Sequence, residues 1–154
     1  MEIIAELCQN HNGDSKTLFQ MVDEAVEAGA SHVKIQHIYS KNLVFRPEFE
    51  KGLKDEKGQT LSIMRPWQNE YDRLKKLELS HETNSRFVEY ATSLGVIPMT
   101  TCFTRGDVET IFQQGFRHIK VASYDCASFQ LLKDLSEKFK YLYVSTGATF
   151  DDEL

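Results

Sequence analysis

Short apolar runs alternate with amphipathic stretches five times along this chain. Glu2 to Cys8, His32 to Gln36, Val96 to Thr101, His118 to Ala122 and Tyr141 to Val144 read as strands, the first of them buried. Between them, apolar residues recur at helical spacing. Leu18, Met21, Val22, Ala25 and Val26 mark a first helix stopped by Gly29. Ser80 caps a helix running through Phe87 and Tyr90 to Gly95. Thr104 with Asp107 caps a helix ending at Gly115, and Ala127 to Phe139 presents Phe129, Leu131, Leu132 and Leu135 on one face. Strands alternating with helices imply a parallel α/β sheet. Five βα units are too few for a closed eight-stranded barrel.

Residues 38 to 80 interrupt the rhythm. They hold Arg46-Pro47, a polar stretch from Lys51 to Thr60, Arg65-Pro66-Trp67 and a short helical pattern over Tyr71 to Leu79. An insertion this long after the second strand predicts a functional or interface segment, such as a dimer contact. At the other end, Thr149 with Asp152 resembles a helix cap with only about one turn of helix behind it. The expectation is an N-terminal part of a longer barrel domain.

In parallel sheets, ligands bind at the carboxyl ends of the strands. The five tips are Glu6 to Gly13, Lys34 to His37, Thr100 to Thr104, Lys120 to Asp125 and Ser145 to Gly147. Lys34 lies between Val33 and Ile35, so Lys34 and Gln36 share one face of their strand. A lysine flanked by β-branched residues must pair with an anion or shift its pKa. Lys120 in Ile119-Lys120-Val121 repeats the arrangement two strands on. Two lysines on the lumen face suit a multiply anionic ligand, with hydroxyls such as Thr101, Ser123 and Ser145 completing its shell. Each lysine could instead pair with a core carboxylate such as Glu6, or form a Schiff base with a carbonyl substrate. Glu6, a charge within an apolar strand, reads as an ion-pair partner, a proton-transfer group or an outer-shell metal partner. His11, a loop histidine, is weighed as a metal ligand or proton shuttle against a hydrogen-bonding role, which is favoured. His37, His81 and His118 read as structural.

Bulk properties narrow the partners. The 154 residues are 41% hydrophobic and 27% charged with a net charge of −5. That balance argues against nucleic acid and anionic membranes. No run reaches the roughly 18 apolar residues of a membrane span. Met1 leads directly into the first strand, and three cysteines without metal-like spacing fit a reduced, cytoplasmic setting.

Taken together, six segments resemble the sialic acid synthase (N-acetylneuraminate synthase) family. They are IAELCQNHNGD at 4–14, EAGASHVKIQ at 27–36, LKKLELS at 74–80, TTCFTRGDV at 100–108, HIKVASYD at 118–125 and VSTGATFDDE at 144–153. The resemblance implies a (β/α)8 TIM barrel, incomplete here. The implied reaction condenses phosphoenolpyruvate with an N-acetylated amino sugar, N-acetylmannosamine or a relative, to give a nine-carbon 2-keto-3-deoxy acid and phosphate. It further implies a divalent metal, manganese or magnesium, with ligands beyond residue 154. A homodimer and a C-terminal antifreeze-like domain outside this chain are implied as well.

Residue by residue, the resemblance places Lys34 near the phosphoenolpyruvate carboxylate with Thr101 beside it, and Lys120, Ser123 and Ser145 at the phosphate. Glu6 matches a buried glutamate at the reacting centre, so Glu6, Lys34 and Lys120 form the catalytic set. Gln36 and Phe103 match sugar contacts. Asp125 stands where the family commonly has a glutamate that holds the sugar. Cys102 replaces a usual proline and Cys8 a usual glycine. A lysine aldolase and a non-catalytic partial-barrel binding module are the competing readings, and residues 1–154 alone are expected to be inactive.

Overall fold

The computed structural model describes residues 1–147, which form two compact units. The Thr149 cap lies outside the described residues. The larger unit combines the stretch up to His37 with the stretch from Leu79 onward. Its strands are β1 (Ile4–Cys8), β2 (His32–His37), β5 (Ile97–Cys102), β6 (His118–Val121) and β7 (Tyr141–Val144). Its helices are α1 (Ser15–Glu27), α4 (His81–Ser93), α5 (Val108–Gln113) and α6 (Phe129–Lys138).

The sheet order is β1-β2-β5-β6-β7, and every neighbouring pair is parallel. That order never reverses along the chain. A doubly wound sheet would reverse at a switch point and carry helices on both faces. Here Val33, Ile35, Ile119 and Val121 share one apolar core with Leu18, Val22, Phe87, Ile111, Leu131 and Leu135 of the helices. The alternate residues of the same strands, His32, Lys34, Gln36, His118 and Lys120, take the other face. One apolar face under helices and one polar face is the winding of an incomplete (β/α)8 barrel. Each fully buried Leu, Ile or Phe of the helix-facing layer contributes about 1.5–3 kcal/mol relative to exposure.

Local sequence explains the element ends. Asp14 caps α1, its carboxylate accepting from the Thr17 amide at 2.8 Å and the Thr17 hydroxyl at 2.6 Å. Gly29, at φ +86°, ends it with a left-handed residue. Ser80 caps α4 through the Thr83 amide at 3.0 Å.

Three expectations are corrected. The first strand is only partly buried: Ile3 and Ile4 are 44% and 41% exposed, while Leu7 joins the core at 5%. Among the described strands, β1 pairs with β2 alone and β7 with β6 alone. Thr104 does not cap α5, because a 3-10 turn at Arg105–Asp107 intervenes and its hydroxyl donates to Asp107 Oδ2 instead. Phe129 does not join the apolar face of α6. It is 79% exposed, because the helix begins only at Phe129 and its buried stripe is Leu131 and Leu135.

The stretch 38–80, read as an interruption, is largely an organised unit of its own, Ile38–Glu78. It contains α2 (Pro47–Lys51), the antiparallel hairpin β3 (Leu53–Lys54) and β4 (Thr60–Ser62), and α3 (Trp67–Leu77). Glu50 accepts from the Trp67 amide at 2.7 Å, and Glu78 accepts from the Ser40 amide and hydroxyl at 2.7 and 2.5 Å. The Glu78 carboxylate joins the two ends of the unit, and Glu50 ties α2 to the start of α3.

Candidate active site on the polar face of the sheet

Strand register brings the charged tip residues together. Glu6 is the partner of Lys34 across β1 and β2, Gln36 of Thr101 across β2 and β5, and Thr101 of Lys120 across β5 and β6. The Lys34 ammonium lies 2.5 Å from Glu6 Oε2 and donates to Thr101 Oγ1 at 2.9 Å. Lys34 and Thr101 are buried. Of the three roles weighed for Glu6, the ion pair is present. The carboxylate itself is 46% exposed in this chain, where β1 pairs with β2 alone among the described strands.

Lys120 completes the cluster. Its ammonium reaches the Val121 carbonyl at 3.4 Å. Burial pulls its pKa below the ordinary lysine value, and the nearby Lys34 ammonium lowers it further while Glu6 opposes the shift. The two cations and one carboxylate therefore act on each other through a partly desolvated space. Two ammonium groups against one carboxylate leave an excess positive charge there, which favours an anion.

The remaining candidates stand around this centre at the same strand ends. Ser123 and Asp125 form a 3-10 turn directly after β6, and both are half-buried. The Ser145 amide donates to the Val121 carbonyl at 3.2 Å, tying the tip of β7 to that of β6. A Cβ placed on Gly147 would lie 3.9 Å from the Ser123 Cβ, so these two tips touch. Phe103 is half-buried, one residue beyond β5. The grouping of Ser123, Ser145, Gln36, Phe103 and Asp125 with the lysines rests on strand order and register.

Cys102, at the end of β5, is inert as a nucleophile. Burial pushes its thiol up to about 12, and its Sγ donates to the Thr104 carbonyl at 3.2 Å.

Sequence reasoning missed a layer of rings two residues earlier on the same faces. His118 stacks on Tyr141 with centroids 4.2 Å apart, its Nδ1 lies 3.0 Å from the Tyr143 hydroxyl, and His32 meets it edge-on at 5.5 Å. The spacing His32 to Lys34 and His118 to Lys120 is the available signal: residues two apart on a strand share a face.

His11 is buried, and its Nδ1 accepts from the Gly13 amide at 3.0 Å. The hydrogen-bonding role is thus the observed one. Among the described residues, no group of three or more His, Cys, Asp or Glu side chains gathers to hold a metal ion. The residues present therefore do not by themselves fit the implied metal. No helix of the described residues is long and apolar enough to cross a membrane.

Residues 21–154 match the NeuB family. Over 149 residues the chain is 32% identical to N,N'-diacetyllegionaminic acid synthase of Legionella pneumophila, covering 94% of this chain and 39% of that protein. Over 151 residues it is 27% identical to N-acetylneuraminate-9-phosphate synthase of Mus musculus, covering 94% and 38%. The crystal structure of N-acetylneuraminic acid (sialic acid) synthetase from Leptospira borgpetersenii, in complex with citrate, superposes with a TM-score of 0.75 at 23% identity. That match covers 98% of this chain and 46% of that one, and shows the shared fold. The chain spans about two fifths of the length of the curated relatives it matches.

Proposed function

The chain belongs to the NeuB family, and we propose that its strand tips form the phosphoenolpyruvate side of a sugar-acid synthase site. The observation that carries this reading is the cluster of Lys34, Lys120, Glu6 and Thr101 on the polar face of the sheet.

In this reading Lys34, steadied by Thr101, pairs with the carboxylate of phosphoenolpyruvate. Lys120, Ser123 and Ser145 take its phosphate, the lysine as a point charge and the hydroxyls as donors. Gln36, Phe103 and Asp125 face an N-acetylated amino sugar, N-acetylmannosamine or a relative. The enol carbon C3 of phosphoenolpyruvate bonds to the aldehyde carbon of the sugar, whose oxygen takes up a proton. Water adds its oxygen to C2. The C2 hydroxyl then loses its proton to the departing phosphate as the bond from C2 to the phosphate oxygen breaks, releasing inorganic phosphate and leaving a 2-keto acid. Glu6 accepts the proton of the attacking water while Lys34 holds its carboxylate in place. The two ammonium groups oppose the negative charge of substrate and leaving phosphate, fixed before the reaction begins.

A divalent metal, manganese or magnesium, belongs to the proposed whole enzyme, with ligands outside the described residues. A homodimer is proposed as its assembly, with exposed Val44, Leu61, Ile63 and Met64 of the Ile38–Glu78 unit as contact surface. Light scattering of the full-length protein tests it, and a monomer counts against it.

The full-length protein, given phosphoenolpyruvate, N-acetylmannosamine and manganese, is expected to release phosphate only when the sugar is present. Mass spectrometry should find the condensed nine-carbon acid. Phosphate release without sugar dependence, or none with any N-acetylated amino sugar, counts against the reading.

The lowered pKa of Lys120 favours one alternative, a Schiff-base aldolase, because a neutral amine is the nucleophile that reaction needs. Borohydride reduction in the presence of pyruvate separates the two. Covalent mass on Lys34 or Lys120 supports the aldolase, and failure with both removes it.

A further inference from the structure

We propose that His11 is a positioning residue that holds the β1 tip in the shape that fixes Glu6 against Lys34. This rests on the reading of Glu6 and Lys34 given above.

The β1 tip is an unusual piece of backbone. The register with β2 slips between Glu6 and Cys8, a bulge that re-aims the strand end. Cys8 and Asn12 both sit at positive φ, +54° and +50°, although neither is glycine. Such geometry persists only when the surroundings over-determine it. Three tight turns do part of this: the amides of Asn10, Asn12 and Asp14 donate to the carbonyls of Leu7, Gln9 and His11. The His11 ring does the rest. It is buried, and its Nδ1 accepts from the Gly13 amide.

A chain of contacts leads from that loop to the site. The Cys8 amide, at the start of the loop, donates to Glu6 Oε1 at 2.9 Å. The other oxygen of the same carboxylate meets Lys34, and Lys34 meets Thr101. Both Glu6 oxygens are thereby held, one by the loop and one by the lysine. Because Nδ1 accepts, the proton of the neutral ring is on Nε2, which is buried without a hydrogen-bond partner among the described residues. The ring's one hydrogen bond among the described residues comes from the Gly13 amide, two positions further on. An asparagine carbonyl makes the same bond in an Asx-turn.

The test uses His11→Asn and His11→Leu in the full-length protein, with hydrogen exchange of the 8–13 amides and the kinetics of phosphate release. Asparagine restores the acceptor and cannot shuttle protons near neutral pH. Leucine fills space without an acceptor. The expected result is protection and kcat within threefold of wild type for H11N. For H11L, exchange rises at least tenfold and kcat falls at least tenfold, with KM for phosphoenolpyruvate changing less than threefold. Unchanged exchange in H11L overturns the proposal. So does an H11N protein whose loop stays protected while kcat is lost, since that would make His11 a chemical rather than a positioning group. If H11L fails to fold, His11→Ala, which also lacks the acceptor, takes its place in the same two readouts. If the wild type releases no phosphate, the substrate reading falls by itself, and exchange in H11L and H11N still decides the role of His11.

Discussion

Lys34 and Glu6 meet at 2.5 Å across two parallel strands, yet the lysine side chain is 5% exposed and the glutamate 46%. The pair is therefore unequal. Removing the glutamate strands a buried cation, whereas removing the lysine leaves a carboxylate that water already reaches. Glu6→Gln is expected to lower stability by roughly 3 kcal/mol. Lys34→Met should cost about 1 kcal/mol. Urea unfolding of the two variants checks the order; equal losses would show that the burial difference does not matter.

Much of this site is legible in the chain. The alternation Val33-Lys34-Ile35-Gln36 places Lys34 on the polar face because strand side chains have period two, and Ile119-Lys120-Val121 says the same for β6. The Glu6 ion pair was one of three open roles, and only register brings it to Lys34. Edge position was not legible. Ile3 and Ile4 read as core, but apolar residues on an edge strand and on a central one look alike until pairing is known. The bulge at the β1 tip and the burial of His11 were likewise hidden. Both depend on how the loop closes on itself, and no periodicity records that.

Lys120 sets a pH limit on anion binding. Its pKa is depressed in the free site, chiefly by burial and then by Lys34. An anion favours the charged amine, so binding takes up a proton whenever the amine is neutral. Affinity for phosphoenolpyruvate should fall as pH rises through the lowered pKa, below the ordinary value of about 10.4. Lys120→Arg, which stays charged, should remove that limb. Calorimetric titration in buffers of different ionisation enthalpy measures the proton uptake; none in the wild type across that range would contradict it.

His11 should make the fold acid-sensitive. Burial lowers its pKa below 6.5, while Asp14 partly opposes the shift. The folded state thus binds fewer protons than the unfolded one. The stability it contributes is present above 6.5 and is lost as pH falls through the lowered value. Urea midpoints between pH 7.5 and 4.5 should drop more steeply for the wild type than for His11→Asn. Parallel slopes would count against this.

Two glycines separate backbone strain from collision. Gly29 and Gly52 both have positive φ, but a Cβ on Gly29 meets nothing within 4 Å. One on Gly52 would lie 2.9 Å from the Ser62 carbonyl oxygen and 3.0 Å from the Met64 amide nitrogen. Gly29→Ala should cost about 1 kcal/mol, the left-handed penalty alone. Gly52→Ala should cost roughly 1–3 kcal/mol more, with the loss confined to the Ile38–Glu78 unit. Hydrogen exchange by segment reads both; equal effects would contradict the contact geometry.

The central claim is that Lys34 and Lys120 bind phosphoenolpyruvate together, and equilibrium binding to the full-length protein tests it most directly. A charge-assisted contact is worth about 1.5–3 kcal/mol, or roughly ten- to hundredfold in affinity. The wild type is expected to bind phosphoenolpyruvate, and Lys34→Met and Lys120→Met each to weaken binding at least tenfold while remaining folded. Binding undiminished in both variants would contradict the assignment.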